Sequence, residues 1–165
     1  MGYDVPSVAS PLWLLSWNVN GLRAVLRKDG FAFLLHRDAD VLCLQETRAT
    51  SEQVLAEAGK PLFAEYPFQY FNPADRPGYS GTAVFCACEP LGVRCGMGRR
   101  EHDREGRLLT LEFERFFLVT SDRVPPIAEV LAAARRLASD PSQARKAELA
   151  LPAGPAGRGR GAEPS

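Results

Sequence analysis

Apolar and polar side chains alternate along Trp13-Leu14-Leu15-Ser16-Trp17-Asn18-Val19-Asn20. In an extended chain Trp13, Leu15, Trp17 and Val19 share one face, while Leu14, Ser16, Asn18 and Asn20 share the other. The pattern predicts a buried strand over 12–19 that turns polar as it ends, at an Asn-Gly pair suited to a turn. From Leu22 the spacing Leu22, Val25, Leu26 and, beyond Gly30, Phe31, Leu34, Leu35 is helical, with Arg27, Lys28 and Arg37 on the polar side. Val41-Leu42-Cys43-Leu44-Gln45 is too short and too apolar for a surface helix and reads as a second buried strand. Strand, helix, strand at this spacing predicts a right-handed βαβ unit with parallel strands.

Thr50-Ser51-Glu52-Gln53 opens the next helix with a capping-box pattern, and Val54, Leu55 and Ala58 are its expected inner face. A Pro- and aromatic-rich connection leads to a strand over Thr82–Ala87. Leu108–Phe113 and Phe116–Thr120 flank Glu114-Arg115, which has the length of a hairpin loop. The expectation is an α/β unit with five strands over 12–120, after an amino-terminal lead at 1–11. A helical segment over Ile127–Ala138 falls in a divergent stretch at 121–150. The Gly/Pro-rich residues 151–165 read as a disordered tail.

The chain has 165 residues with 45% apolar side chains, enough for one ordinary domain and its core. Twenty basic residues balance twenty acidic ones, so no global field announces a nucleic-acid or membrane partner, although a local patch is compatible with the balance. No run is long and apolar enough to span a bilayer, and no secretory leader is expected. Cys43, Cys86, Cys88 and Cys95 form no C-x-x-C pair and read as reduced structural thiols.

Ligands of open α/β sheets gather at the carboxyl ends of parallel strands. Asn18 and Asn20 stand at the end of the first strand, and Gln45-Glu46 at the end of the second. If the strands are neighbours, a carboxylate and amide oxygens meet with no imidazole or thiolate among them. Such a set suits magnesium rather than zinc, since magnesium takes one or two carboxylates and keeps its waters. Read alone, Glu46 also suits a plain salt bridge to Arg48, and Arg23, Lys28 and Arg107 suit solvated surface charges.

SWNVNGLRA, LCLQET, GYSG and EHDREGR, in this order and at these separations, closely resemble the amino-terminal half of the exonuclease III-type apurinic/apyrimidinic (AP) endonucleases, members of the endonuclease/exonuclease/phosphatase superfamily. The resemblance covers roughly residues 12–120. It implies an α/β fold, about one half of a four-layer α/β/β/α sandwich. It also implies a DNA-repair phosphodiesterase that hydrolyses duplex DNA 5′ to an abasic site, with magnesium or manganese as cofactor. By the same resemblance Glu46 is a metal ligand, Asn18 stands beside the metal and the scissile phosphate, and Asn20 ligates directly or through water. Arg23, Ala24, Lys28, Tyr79 and Arg107 fall on DNA-backbone contacts, and a nuclear address follows from the repair role. The family's catalytic histidine lies in a carboxy-terminal Ser-Asp-His motif, so His102 is expected to orient a loop, and Ser121-Asp122 to match two letters of that motif by coincidence.

Beyond Thr120 only Val124-Pro125 echoes the family pattern, with Arg123 in a tyrosine's place. The Asp-x-Asn pair and the Ser-Asp-His motif are missing. A truncated, catalytically impaired chain is therefore expected, or a non-catalytic DNA- or partner-binding fragment. One sheet face of roughly 400 Å² is expected to lack its partner, forgoing on the order of 10 kcal/mol of burial and inviting self-association.

Overall fold

The computed structural model describes residues 12–31, 39–59 and 65–122. Within them the chain forms β1 (Leu14–Asn18), α1 (Leu22–Arg27), β2 (Val41–Gln45), α2 (Ser51–Ala58), β3 (Phe68–Asn72), β4 (Thr82–Cys86), β5 (Gly92–Cys95), α3 (Arg100–Asp103), β6 (Leu108–Glu112) and β7 (Phe117–Ser121). One sheet has the order β1-β2-β4-β3 and the other β5-β6-β7. β1 and β2 are parallel neighbours, with Asn18 beside Gln45. Every other pairing is antiparallel.

The apolar run of β2 has two audiences. Leu42 and Leu44 pack with Val19, Leu22, Val54, Phe71 and Phe85 in a core shared with α1 and α2. Val41 and Cys43 point the other way, where they meet Val84, Cys86, Leu109 and Leu111 between the two sheets. A strand covered on both faces needs no polar alternation, which is why VLCLQ has so little. The layers run helix, sheet, sheet. Gln45 ties the two sheets together: its Nε2 donates to Ser16 Oγ at 3.0 Å within the first and to Thr120 Oγ1 at 2.9 Å in the second.

Helix α2 begins as its sequence predicts. Gln53 N donates to Thr50 Oγ1 at 3.3 Å, and Thr50 N to Gln53 Oε1 at 3.2 Å, so two amides that lack helical partners are satisfied. The β6–β7 hairpin also closes on Glu114-Arg115, with Phe113 N bonded to Phe116 O at 2.9 Å and the two rings stacked.

Four expectations need correction. The strands number seven rather than five among the described residues, because β3 lies inside the Pro- and aromatic-rich connection and β5 falls where the pattern predicts no strand. They form two packed sheets instead of one, so the large uncovered face is absent there: the second sheet covers β2 and β4. β1 is not a buried strand. It pairs only with β2 among the described residues, and Trp13 and Leu14 are 65% and 41% exposed. Finally, Leu55 turns outward, leaving Val54 as the buried residue of α2. Leu34, Leu35, the helix expected over 127–138, Val124-Pro125, the lead at 1–11 and the tail at 151–165 lie outside the described residues. No described helix is long and apolar enough to cross a membrane.

Candidate functional site

Parallel pairing brings the carboxyl ends of β1 and β2 together, and the loops that follow continue the ladder. Val19 N donates to Gln45 O, Gly21 N to Glu46 O at 2.8 Å and Leu22 N to Thr47 O at 2.9 Å. The loop before β4 joins them, through Thr47 N to Gly81 O and Arg48 N to Ser80 O at 2.7 Å. Asn20, Glu46, Arg48 and Ser80 all have positive φ, between 44° and 52°. Side-chain-bearing residues rarely adopt this conformation, and its clustering in three adjoining loops marks a place where backbone strain is held by its surroundings. Gly81, at φ +90°, approaches so closely that a Cβ would stand 2.6 Å from Thr47 Oγ1.

These loops present Glu46. Its Oε1 accepts from Asn18 Nδ2 at 3.0 Å, and its Oε2 from Arg48 at 2.6 Å. Asn18 is itself oriented, because its Oδ1 accepts the Asn20 amide at 3.1 Å. The Asn18 hydrogen bond, then that of Arg48, holds the Glu46 carboxyl below the ordinary carboxylate range against a cost from burial, with the charges of Arg48 and Arg107 adding to the effect. The group is ionised at neutral pH and remains 31% exposed. Both readings of Glu46 are thus realised: it is salt-bridged, and it stands at the strand tips beside Asn18.

A second cluster surrounds Arg107. Its Nε donates to Glu105 at 2.6 Å, its Nη1 to Asp122 at 2.6 Å and its Nη2 to the Tyr79 hydroxyl at 2.7 Å. Ser80 Oγ also donates to Asp122, at 2.7 Å. Burial works against the Arg107 charge, but the bonds to Glu105 and Asp122 outweigh it and push its pKa up. Gly106, at φ +61°, lets the loop pass against the Asn72–Pro73 backbone, where a Cβ would collide.

Beside the Glu46 loops lies an open groove of about 250 Å³ lined by Asn20, Gly21, Arg23, Ala24, Arg27, Thr47, Arg48 and Gly78. Arg27 is steadied by two bonds to Glu57, at 2.8 and 2.7 Å. Guanidinium groups along an open channel suit phosphate positioning rather than base reading.

The structure therefore brings Asn18 and Glu46 into contact and places Asn20, Arg23 and Ala24 along one groove. Tyr79 and Arg107 meet in the neighbouring cluster. Lys28 caps the end of α1, exposed and outside the groove lining. His102 is exposed on α3, with Glu101 at 3.9 Å. Arg48, Ser80, Glu105 and Asp122 were missed as site residues. Asp122 has a structural part of its own: its side chain is 1% exposed and clamps Arg107. The signal was available in the hairpin, whose register, carried outward from Glu114-Arg115, sets Asp122 opposite Arg107.

The strand tips present one ionised, half-buried carboxylate beside amide side chains, of which Asn18 turns Nδ2 and not its oxygen to Glu46, and no group of three His, Cys, Asp or Glu side chains gathers among the described residues. That set fits a hard divalent cation that keeps most of its waters, and does not fit zinc.

Residues 15–159 match the sequence profile of the Endonuclease/Exonuclease/phosphatase family. The chain is 46% identical over 115 residues to the DNA repair nuclease APEX1 of Danio rerio, covering 68% of this chain and 36% of the relative. It is 53% identical over 108 residues to the exodeoxyribonuclease of Bacillus subtilis (strain 168), covering 65% of this chain and 40% of the relative. Among solved structures it resembles the AP endonuclease LMAP from Leishmania major, with a TM-score of 0.54, 26% identity, and 73% of this chain set against 43% of that one. The chain thus spans about two fifths of the length of the curated relatives it matches.

Proposed function

Because the chain belongs to the Endonuclease/Exonuclease/phosphatase family, we propose that it carries the metal- and phosphate-facing part of a DNA-repair nuclease that hydrolyses the backbone of duplex DNA 5′ to an abasic site. The observation that carries this reading is the Asn18–Glu46 contact at adjoining parallel strand tips, with the Arg107 cluster nearby.

On this reading Glu46 holds magnesium, with manganese as a substitute, and Asn20 offers a further oxygen. When bound, the cation would offset charge developing on the phosphoryl oxygens. Asn18 fixes the rotamer of Glu46 and stands beside the scissile phosphate. Arg23, Ala24, Arg27 and Arg48 border the path of the DNA backbone, with Lys28 farther along it, and Tyr79 and Arg107 meet a phosphate from the other cluster. Ser80 and Asp122 keep Arg107 in place. Proton removal from the attacking water has no assigned group among the described residues. A nuclear compartment accompanies the repair role, and fluorescence microscopy of the tagged chain tests it.

The test is incision of a duplex containing a tetrahydrofuran abasic analogue by the purified chain with magnesium. The expected result is slow cleavage leaving a 3′-hydroxyl, lost with EDTA and in Glu46→Gln. Cleavage that survives Glu46→Gln would overturn the assignment.

The exposed apolar residues Leu12, Trp13 and Leu14 at the edge strand favour a second reading, a non-catalytic fragment that binds DNA or pairs with another chain there. Lesion-indifferent, salt-sensitive DNA binding in EDTA, or a mass that rises with concentration, would support it over incision.

A further inference from the structure

Arg94 is a buried cation that the site above does not use. It sits in the middle of β5 opposite Thr110, on the face turned away from Val93 and Cys95, which pack into the inter-sheet core. The residue is 7% exposed, and its Nη1 is buried with no hydrogen-bond partner. Its guanidinium lies beneath a glycine-containing loop: a Cβ at Gly98 would stand 3.5 Å from Nη2. It lines an open depression of about 550 Å³ together with Asp75, Cys95, Gly98, Arg100, Asp103 and Arg104.

The two carboxylates there are committed elsewhere. Asp103 accepts the amides of Met97 at 2.7 Å and Gly98 at 3.0 Å, and Asp75 is paired with Arg104 at 3.0 Å. Among the described residues neither Arg94 nor Arg100 has an ion pair. A buried guanidinium without a counter-charge is costly, and native structures seldom leave one so. Its fork of donors matches an oxyanion, and the other cations at the rim add attraction without saturating it.

We infer that this depression is an anion site in which Arg94 binds a phosphate group, separate from the Glu46 centre. The group comes either from a DNA backbone or from free phosphate. The site does not depend on the nuclease reading, since Glu46→Gln, which should stop incision, leaves Arg94 intact.

The experiment titrates the full chain with inorganic phosphate by calorimetry and with a labelled undamaged duplex by anisotropy, in wild type, Arg94→Lys and Arg94→Met, each with and without Glu46→Gln. Phosphate affinity should fall at least about tenfold in Arg94→Met and less in Arg94→Lys, and the same ratio should hold in the Glu46→Gln background. If DNA supplies the group, Arg94→Met also weakens duplex binding and lowers its salt slope by about one. If free phosphate is the ligand, duplex binding is unchanged while phosphate binding is lost. Equal phosphate and duplex affinities in wild type and a folded Arg94→Met would overturn the proposal. Should that variant not fold, wild-type crystals soaked in tungstate decide, by an anomalous peak at Arg94 or its absence.

Discussion

The β1–β2 tip and the β6–β7 corner each set a carboxylate against an arginine at the same distance, 2.6 Å, yet the two pairs differ in kind. Glu46 is 31% exposed and Arg48 43%, whereas Asp122 is 1% exposed and Arg107 17%. An open pair contributes little to stability, and water or an external ligand can replace either partner. In a closed pair, loss of one partner strands the other's charge. The first leaves both groups open to water, and the second holds a side chain still.

That contrast can be broken from either side. The largest effect is expected from Glu46→Gln, which should lower metal-dependent incision about a thousandfold, roughly 4 kcal/mol of barrier, while leaving the urea midpoint nearly unchanged. Equal losses of incision and stability would erase the distinction. Next, Asp122→Ala should destabilise the fold by about 2 kcal/mol in urea, because half-buried Arg107 loses its buried partner and keeps only Glu105 as a charged one. A midpoint shift as small as that of Glu46→Gln would place both pairs in one class.

Alkaline pH probes the closed interior against the open site. Burial pushes the Cys43 thiol up to about 11, partly offset by its hydrogen bond with Thr120, and burial moves Cys86 in the same direction. An unfolded thiol ionises near 9, so the folded state keeps a proton that the unfolded state releases. The stability contributed by Cys43 is complete below pH 9 and declines by about 3 kcal/mol as pH rises toward 11. Melting from pH 8 to 11 should show this, with a shallower fall in Cys43→Ala. Glu46 acts oppositely: its lowered pKa stabilises above the ordinary carboxylate range, and that contribution fades as pH drops through the folded value. The smallest effect is the α2 cap, where Thr50→Ala should cost about 1 kcal/mol by thermal melting with incision unchanged.

How much of this was legible follows from how local each feature is. The capping box at Thr50 and Gln53 is a four-residue pattern and was read correctly. So was the parallel pairing of β1 with β2, since short apolar runs carry that information; Asn18 and Glu46 do meet, but through Asn18 Nδ2 and not the amide oxygen expected there, which accepts the Asn20 amide instead. β3 escaped because Phe68-Gln69-Tyr70-Phe71-Asn72 shows no alternation: it is covered on both faces, and Gln69 and Asn72 bond to main-chain carbonyls. β5 escaped because four residues holding a glycine and a buried arginine look like a loop. The division into two sheets has no local signature at all. The partners of Arg107 were missed because Tyr79, Ser80 and Asp122 come from distant segments, although the hairpin register already pointed to Asp122.

Gln45 bonds to a residue 75 positions later in the chain, and the next residue is Glu46. Closing so long a loop is slow compared with forming α1 or α2. Anchoring of Gln45 to the far hairpin should therefore follow the pairing of β1 with β2, so the tie between the two sheets is expected to form after the strand tips have met.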